Sequence, residues 1–152
     1  RPTWVIFNIG DARVYLLRDD MLSQVTRDHS RVQILVETGE ITPEQARHDP
    51  RRNVVTRALG GGIADSAVPD LYSVPVAAGD RLLICSDGLS DELNDEAIAT
   101  VLAAGYTAQR TAELLVAASL EGGGHDNTTS VVVDSIEVPT TAPATVPAQE
   151  AQ

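Results

Sequence analysis

Two aspartates that lie beside glycine, at the margins of apolar segments, constrain this chain more than any other feature. Residues 82–89 read LLICSDGL, so an apolar run delivers Asp87 directly to a glycine, and residues 123–128 read GGHDNT, which contains Asp126. An apolar strand fixes where its last side chain lies, and glycine permits a sharp turn, so two such segments can aim two carboxylates at one point. Hard divalent cations prefer converging carboxylates, although Asp-Gly is also a common turn and both residues could be ordinary loop residues.

The composition favours a single globular domain with an aliphatic core. The chain has 152 residues, of which 43% are hydrophobic and only 3% aromatic, so Val, Leu, Ile and Ala must fill the core. No apolar run approaches the roughly 20 residues of a membrane helix, so we expect no membrane segment. The net charge of −11 argues against a nucleic-acid partner, and it reflects either a solubilising surface or carboxylates that attract cations.

The single cysteine lies inside the first apolar run and is not expected to be a nucleophile. Cys85 cannot form an intrachain disulfide, which favours a reducing compartment, and we expect a cytoplasmic protein. Cysteine-dependent phosphatases carry an Arg six residues after the nucleophile, whereas this chain has Asp91 there. An Asp87 nucleophile of the haloacid-dehalogenase type would need a second acid two residues later, whereas this chain has Leu89.

Apolar periodicity and turn signals predict an α+β domain with antiparallel sheet and helices on an outer face. The predicted strands are residues 3–9, 13–18 and 22–26, which form a β-meander, residues 71–76 and 81–85, which form a hairpin, and residues 130–138. The predicted helices are residues 32–37 with Asp28 or Ser30 as N-cap, a helix that begins after Thr42, residues 95–104 and residues 107–120. Residues 1–138 are expected to form the domain, and residues 139–152, which read PTTAPATVPAQEAQ, a disordered tail.

Other side chains are candidates for the site, each with a plainer alternative. Asp11 follows glycine at a strand end and is a third candidate metal ligand, although such a residue is more often part of a hairpin. Arg51 and Arg52 precede the glycine run that contains Gly60 and Gly61. Paired arginines can bind phosphate, or they can form a solvated basic patch. We expect this charged, glycine-rich region to be a long and mobile loop.

The histidines and the glycine run carry weaker signals. His29, His48 and His125 could act as acid–base groups, but they share no metal-binding spacing and are more readily interpreted as surface or loop residues. The glycine run at residues 60–62 lacks the Lys-Ser/Thr ending of a nucleotide-binding P-loop, so that interpretation fails.

Taken together, these segments resemble the bacterial branch of the metal-dependent PPM-type serine/threonine protein phosphatases. The resemblance runs in family order through nearly the whole chain, from residue 3 to about residue 138. It is carried by NIGDARVYLLRDD (residues 8–20), TRDHS (26–30), ETGEITPEQAR (37–47), RRNVVTRALGG (51–61), AAGDRLLICSDGLSDELNDEAI (77–98) and GGGHDNTTSVVV (122–133). One such string alone would be weak, but the ordered set is highly specific.

The resemblance implies a fold, an activity and site residues. The fold is an α-β-β-α sandwich of two antiparallel sheets, and the activity is hydrolysis of phosphoserine and phosphothreonine by a water that Mn²⁺ or Mg²⁺ activates. Asp87 matches a metal-bridging aspartate, and Asp126 matches a second ligand of the same ion. Asp11 matches the aspartate that holds a third ion together with the aspartate that Asp87 matches. Residues 42–62, called the flap below, match the segment that contacts substrate, which includes Arg51, Arg52, Gly60 and Gly61. Phosphorylated substrates of serine/threonine kinases are the implied partners.

The chain also departs from the family pattern. The family carries acidic motifs ahead of the strand that corresponds to residues 3–9, and they supply a bridging aspartate, a phosphate-binding arginine and a general-acid histidine. These catalytic groups are expected upstream of Arg1, so we expect a C-terminal portion that lacks N-terminal strands, has the rest of its own domain as a partner and is inactive alone. The alternative is a non-catalytic pseudophosphatase module that binds phosphoproteins or regulates a partner.

Overall fold

The computed structural model describes residues 2–60 and 68–136. Its elements in chain order are β1 (Thr3–Asn8), β2 (Arg13–Arg18), β3 (Met21–Gln24), α1 (Arg31–Glu37), α2 (Pro43–His48), β4 (Asp70–Pro75), β5 (Arg81–Cys85), α3 (Asp87–Ser90), α4 (Asp95–Leu102), α5 (Ala108–Gly122) and β6 (Ser130–Asp134). The predicted strands and helices are therefore present, with small shifts at their ends, and the α+β class is confirmed. No helix in this part of the chain is long and apolar enough to cross a membrane.

The strands form two antiparallel sheets that pack face to face. β1 pairs with β4 in a two-stranded sheet, and the other sheet has the order β3-β2-β5-β6. Between the sheets, Val14, Leu16 and Leu82 pack against Trp4 and Ile6 of the smaller sheet, among other apolar side chains. Each strand of the smaller sheet alternates exposed and half-buried residues, because only one of its faces is covered within the described residues.

The helices α3, α4 and α5 cover the other face of the four-stranded sheet. Tyr15 and Leu83 are fully buried there, against apolar residues of these helices such as Leu89, Ile98 and Leu115. β2 and β5 are apolar on both faces because they lie at the centre of the sheet with cover on each side.

Two predicted strand pairings are wrong. β1 does not return along β2 as a meander, and β4 does not form a hairpin with β5, because each connection carries the chain from one sheet to the other. β2 does form the predicted hairpin with β3. The physical reason is burial, since the half-exposed strands β1 and β4 suit a sheet with one covered face, whereas β2 and β5 need cover on both faces.

Local capping explains where the first two helices begin. Ser30 is the N-cap of α1, where its Oγ accepts a hydrogen bond from the Gln33 amide, while Asp28 binds Arg13 instead. At α2, which begins after Thr42 as predicted, Thr42 and Gln45 form a capping box, in which each side chain binds the other residue's backbone amide. The short helix α3 was not predicted. Gly61, the domain boundary near residue 138 and the tail at residues 139–152 lie outside the described residues.

Candidate metal centre

Asp87 follows β5 and Asp126 precedes β6, so both residues lie at the same end of the four-stranded sheet. Cys85 lies opposite Ser130 in the antiparallel register, so β5 ends where β6 begins. Beyond this last pair, the Ser86 amide donates to the carbonyl of Thr129 at 3.1 Å, and the Thr129 amide donates to Ser86 Oγ at 2.9 Å. Asp87 follows this junction and Asp126 precedes it.

The glycine after Asp87 is required by close packing of two backbone segments. A Cβ atom at Gly88 would collide with the backbone carbonyl of Asn127. Backbone is unable to move aside as a flexible side chain can, so a larger residue at this position would separate the two segments. The glycine therefore fixes the distance between the Asp87 segment and the Asp126 segment.

Each of these two carboxylates keeps binding capacity that the fold does not use. Asp87 Oδ1 accepts a hydrogen bond from the Gly88 amide at 2.9 Å, and Asp126 Oδ1 accepts one from the Asn127 amide at 2.6 Å. Among residues 2–60 and 68–136, neither carboxylate forms a salt bridge with an Arg or His. Both remain able to accept a cation.

Asp11 lies close to Asp87 in the turn that follows β1. Burial raises the pKa of Asp11, and the negative charge of Asp87 raises it further. Smaller contributions in the same direction come from Asp28 and Asp91. A carboxyl group whose neighbours all carry negative charge is poised to accept a positive ion rather than to pair within the protein.

Asp91 is a member of this cluster that the sequence analysis did not identify. It follows α3 and lies four residues after Asp87, which places the two side chains on one face of a helical turn. Desolvation in the cavity raises the pKa of Asp91, and the charge of Asp87 raises it further. The four-residue spacing was visible in the sequence, but it becomes informative only when the intervening residues are known to be helical.

Two adjacent cavities open onto the carboxylates. A cavity of about 540 Å³ is lined by Asp11, Asp87 and Asp91, and by residues of α1 and α2. A second cavity of about 390 Å³ is lined by Asp91, Asp126 and His125. Arg47 and Arg52 line both cavities, so positive charge lies at the boundary between them.

The flap residues do not all reach these cavities. Arg52 lines both, whereas the guanidinium of Arg51 turns to Asp49 in a 2.8 Å ion pair. Gly60 is exposed and has a positive φ of 71°. Gly61 lies beyond the described part of the flap. Of the paired arginines, Arg52 is therefore the one that the fold directs to the site.

The histidines differ from one another in their surroundings. His29 lies in the loop between β3 and α1, as one of the two expected positions allowed, but it is buried, with 1% of its surface exposed, rather than at the surface. His48 and His125 are exposed, and the Nδ1 atom of His125 lies 2.6 Å from a Glu92 carboxylate oxygen.

The residues present fit a hard divalent cation in donor type and charge. Asp11, Asp87, Asp91 and Asp126 offer oxygen donors, which Mg²⁺ and Mn²⁺ prefer. The pKa values of Asp11 and Asp91 are raised mainly by burial and further by the charge of Asp87, whereas Arg52, Arg13 and Arg47 act to lower that of Asp91. Within the described residues, no three His, Cys, Asp or Glu side chains already form a group that could hold an ion. The chain thus supplies donors rather than a complete cage.

Comparison with known proteins places this site in context. Residues 2–132 match the family model described as Protein phosphatase 2C. The chain is 46% identical over 132 residues to the serine/threonine protein phosphatase PstP of Mycobacterium tuberculosis. This match covers 87% of the present chain and 25% of the relative. It is 38% identical over 130 residues to the serine/threonine phosphatase stp of Listeria monocytogenes, which covers 86% of this chain and 51% of that relative.

Solved structures give the same result. The crystal structure of the M. tuberculosis phosphatase matches with a TM-score of 0.81 and 44% identity, over 89% of this chain and 56% of that one. The catalytic domain of PstP in complex with two manganese ions matches with a TM-score of 0.78 and 42% identity, over 89% of this chain and 54% of that one. The chain thus spans about half of these solved domains.

Proposed function

Because the chain belongs to the protein phosphatase 2C family, we propose that it supplies part of the active site of a metal-dependent phosphatase that acts on phosphoserine and phosphothreonine in proteins. The observation that supports this proposal is that Asp87 follows β5 and Asp126 precedes β6 at one end of the sheet, where the charge of Asp87 also acts on Asp11. Within the described residues, none of the three carboxylates forms a salt bridge. The solved relative with two manganese ions supports the choice of ion. Mg²⁺ is the other candidate.

The aspartates are assigned distinct roles. We assign Asp87 and Asp126 to a tightly held ion. We assign Asp11 with Asp87 to a peripheral ion, the third ion of the family pattern, which keeps more of its water. Ions held in this way lower the pKa of a bound water and neutralise phosphate charge, so no protein nucleophile is needed. This agrees with the burial of Cys85, which raises the pKa of its thiol to about 12 and makes it a poor nucleophile.

Arg52 is assigned to substrate binding. Its position at the boundary of the two cavities puts a guanidinium beside the carboxylates, where it can bind a phosphate oxygen or an acidic side chain of the substrate. We propose that the flap sets the preference among phosphoprotein substrates, with Gly60 and Gly61 allowing it to adapt. Shortening the flap should then change turnover of phosphopeptides more than turnover of a small aryl phosphate.

The activity is assigned to a complete domain rather than to this segment. The match covers 56% and 54% of the two solved structures and 25% of the full M. tuberculosis relative. We propose that the remaining ligands and the general acid come from the part of the domain that this chain does not span. The natural partners are then that part of the domain and the products of serine/threonine kinases. We expect these reactions to take place in the cytoplasm.

The proposal is tested by Asp87→Ala and Asp126→Ala in a complete domain, made by joining this chain to the preceding part of the PstP catalytic domain. Manganese-dependent hydrolysis of a phosphothreonine peptide should fall by more than about 100-fold in each variant, because metal activation of water is central to the reaction. Glu113→Ala is the matched control, since Glu113 is an exposed acid on α5 that pairs with Arg110. Activity of Asp87→Ala near that of the control would contradict the proposal.

A non-catalytic module is the second candidate, and one observation favours it. The described residues supply donors but no complete group of three ligands. A module of this kind would bind the phosphothreonine peptide without manganese and without turnover in the same joined domain. Turnover that depends on manganese would exclude it.

A further inference from the structure

His29 occupies a buried position that the metal chemistry does not explain directly. Its side chain is 1% exposed, and it lies between the turn after β1 and the start of β4. A buried imidazole needs a partner at each ring nitrogen, so its hydrogen bonds specify what it holds in place.

Both backbone groups of Gly10 are bound by His29. The Gly10 amide donates to His29 Nδ1 at 3.0 Å, and the His29 amide donates to the Gly10 carbonyl at 2.9 Å. Gly10 has a φ of +104°, a conformation that a side chain would strain. Gly10 immediately precedes Asp11, so this pair of hydrogen bonds fixes the backbone from which the Asp11 carboxylate projects.

The second ring nitrogen connects the same turn to the flap. Because Nδ1 accepts a hydrogen bond from the Gly10 amide, a neutral His29 carries its proton on Nε2, which lies 3.0 Å from Asp70 Oδ2. The other oxygen of Asp70 accepts a hydrogen bond from Arg57 at 2.7 Å. The flap is also bound through its backbone, since the Thr56 amide donates to the His29 carbonyl at 2.8 Å.

We infer that His29 is a positioning residue for the metal centre, which holds Asp11 through Gly10 and ties the Asp11 turn to the flap through Asp70 and Arg57. This inference rests on the proposed role of Asp11 as a metal ligand. The carboxylate of Asp11 has no side-chain partner of its own in the described structure, so its orientation depends on the backbone that His29 holds. Groups that orient metal ligands in this way typically affect metal affinity by about 10–100-fold when they are removed.

Two substitutions separate the two halves of the His29 contact. In His29→Asn the amide oxygen takes the position of Nδ1, so it can accept from the Gly10 amide but cannot reach Asp70. In His29→Gln the side-chain amide takes the position of Nε2, so it can donate to Asp70 but leaves the buried Gly10 amide without its acceptor. The inference assigns the positioning of Asp11 to the Nδ1 half of the contact.

The experiment is a titration of the 152-residue chain with MnCl2, followed by paramagnetic broadening of backbone amide signals in nuclear magnetic resonance spectra. In the natural sequence, signals near Asp11 and near Asp126 should both broaden. His29→Gln should weaken the Mn²⁺ response near Asp11 by about 10-fold and leave the response near Asp126 unchanged. His29→Asn should retain the response near Asp11. Hydrogen exchange at the Gly10 amide should be faster in His29→Gln only.

The outcomes distinguish this inference from the proposed function. If the natural sequence shows no broadening near Asp11, then Asp11 is not a ligand and the proposed role of that residue fails. If Asp11 responds in the natural sequence and equally in His29→Gln, the positioning role of His29 is wrong. Equal losses in both variants, near Asp126 as well as Asp11, would show a merely structural role and would also overturn the inference.

A variant that leaves His29 in place covers the case in which His29→Gln does not fold. Asp70→Asn removes the charged acceptor of the Nε2 proton and weakens the Arg57 contact, but it preserves the hydrogen bond at Gly10. It should reduce the Mn²⁺ response near Asp11 slightly and leave Gly10 exchange unchanged. If the Gly10 amide in Asp70→Asn exchanges as fast as it would in an unfolded turn, then the contacts at Nδ1 and Nε2 do not act separately, and the assignment of Asp11 positioning to Nδ1 is wrong.

Discussion

The two ends of the four-stranded sheet differ in whether their carboxylates are paired with arginine. At the end away from the cavities, Asp80 pairs with Arg18 at 2.7 Å and Asp134 pairs with Arg81 at 2.6 Å. Arg18, the Trp4 side chain and a backbone amide all bind Asp80, which holds its pKa at about 2. Asp80 and Asp134 are thus each paired with an arginine.

At the end that faces the cavities, the carboxylates have one another as neighbours. Arg13 forms a 2.6 Å ion pair with Asp28. Within the described residues, no arginine forms an ion pair with Asp11, Asp87 or Asp126. At this end the pKa of Asp11 is raised, whereas at the opposite end the pKa of Asp80 is lowered. The comparison indicates that one end contributes to stability and that the other gives up stability in order to bind a ligand.

The largest stability effect should come from Asp80→Asn. The substitution keeps the shape but removes the charge and replaces one carboxylate oxygen with an amide nitrogen. The Arg18 Nε atom and the Ala77 amide donate to different oxygens of Asp80, so they cannot both keep an acceptor. We expect a loss of about 2–4 kcal/mol in the free energy of unfolding, reduced from a fully buried pair because Arg18 is partly exposed. Urea unfolding monitored by circular dichroism measures it. Glu113→Gln, an exposed control, should change stability by less than about 0.5 kcal/mol; equal effects of the two substitutions would contradict the paired role of Asp80.

The two ends should also respond to pH with opposite signs. Asp80 has a lowered pKa, so its contribution is present above its ordinary value of 3.8 and is lost as the pH falls towards 2. Asp11 has a raised pKa, so the folded state binds its proton more readily and its contribution is lost as the pH rises above 3.8. Urea unfolding between pH 2 and 7 in metal-free buffer should therefore show a decline on the acid side that is smaller in Asp80→Asn. Part of the decline should remain, because the pKa values of Glu37 and Asp70 are also lowered. A decline above pH 4 should be weaker in Asp11→Asn, and an unchanged profile in both variants would contradict the comparison.

A smaller effect of opposite sign is expected at the cavity end. Asp11→Asn removes a negative charge that faces Asp87, and without metal it should raise the free energy of unfolding by about 0.5–1 kcal/mol. The same urea experiment at pH 7 measures the change. Destabilisation by Asp11→Asn would mean that the carboxylate has a structural partner. The two ends would then not differ in the way described.

Local patterns in the sequence were sufficient for much of this account. The strands, the helix that begins after Thr42 and the position of Asp87 directly after β5 all depend on residues near one another in the chain. The pairing of β1 with β4 was not predicted, because it depends on which faces of distant strands are covered. For the same reason the sequence did not indicate that Asp91 lies beside Asp87, which depends on the helix α3. It also did not indicate that Arg52 lines the cavities while Arg51 does not, which depends on the ion pair of Arg51 with Asp49.

Calorimetric titration of the 152-residue chain with MnCl2 tests most directly whether the cavity end is built for a cation. The account predicts weak binding, with a dissociation constant of about 10⁻⁴–10⁻³ M, because the chain supplies only part of a ligand set. It also predicts that Asp87→Ala abolishes the binding heat, whereas Asp134→Asn at the opposite end of the sheet leaves it unchanged. Absence of binding by the natural sequence, or binding that survives Asp87→Ala, would contradict the assignment of these carboxylates to a metal centre.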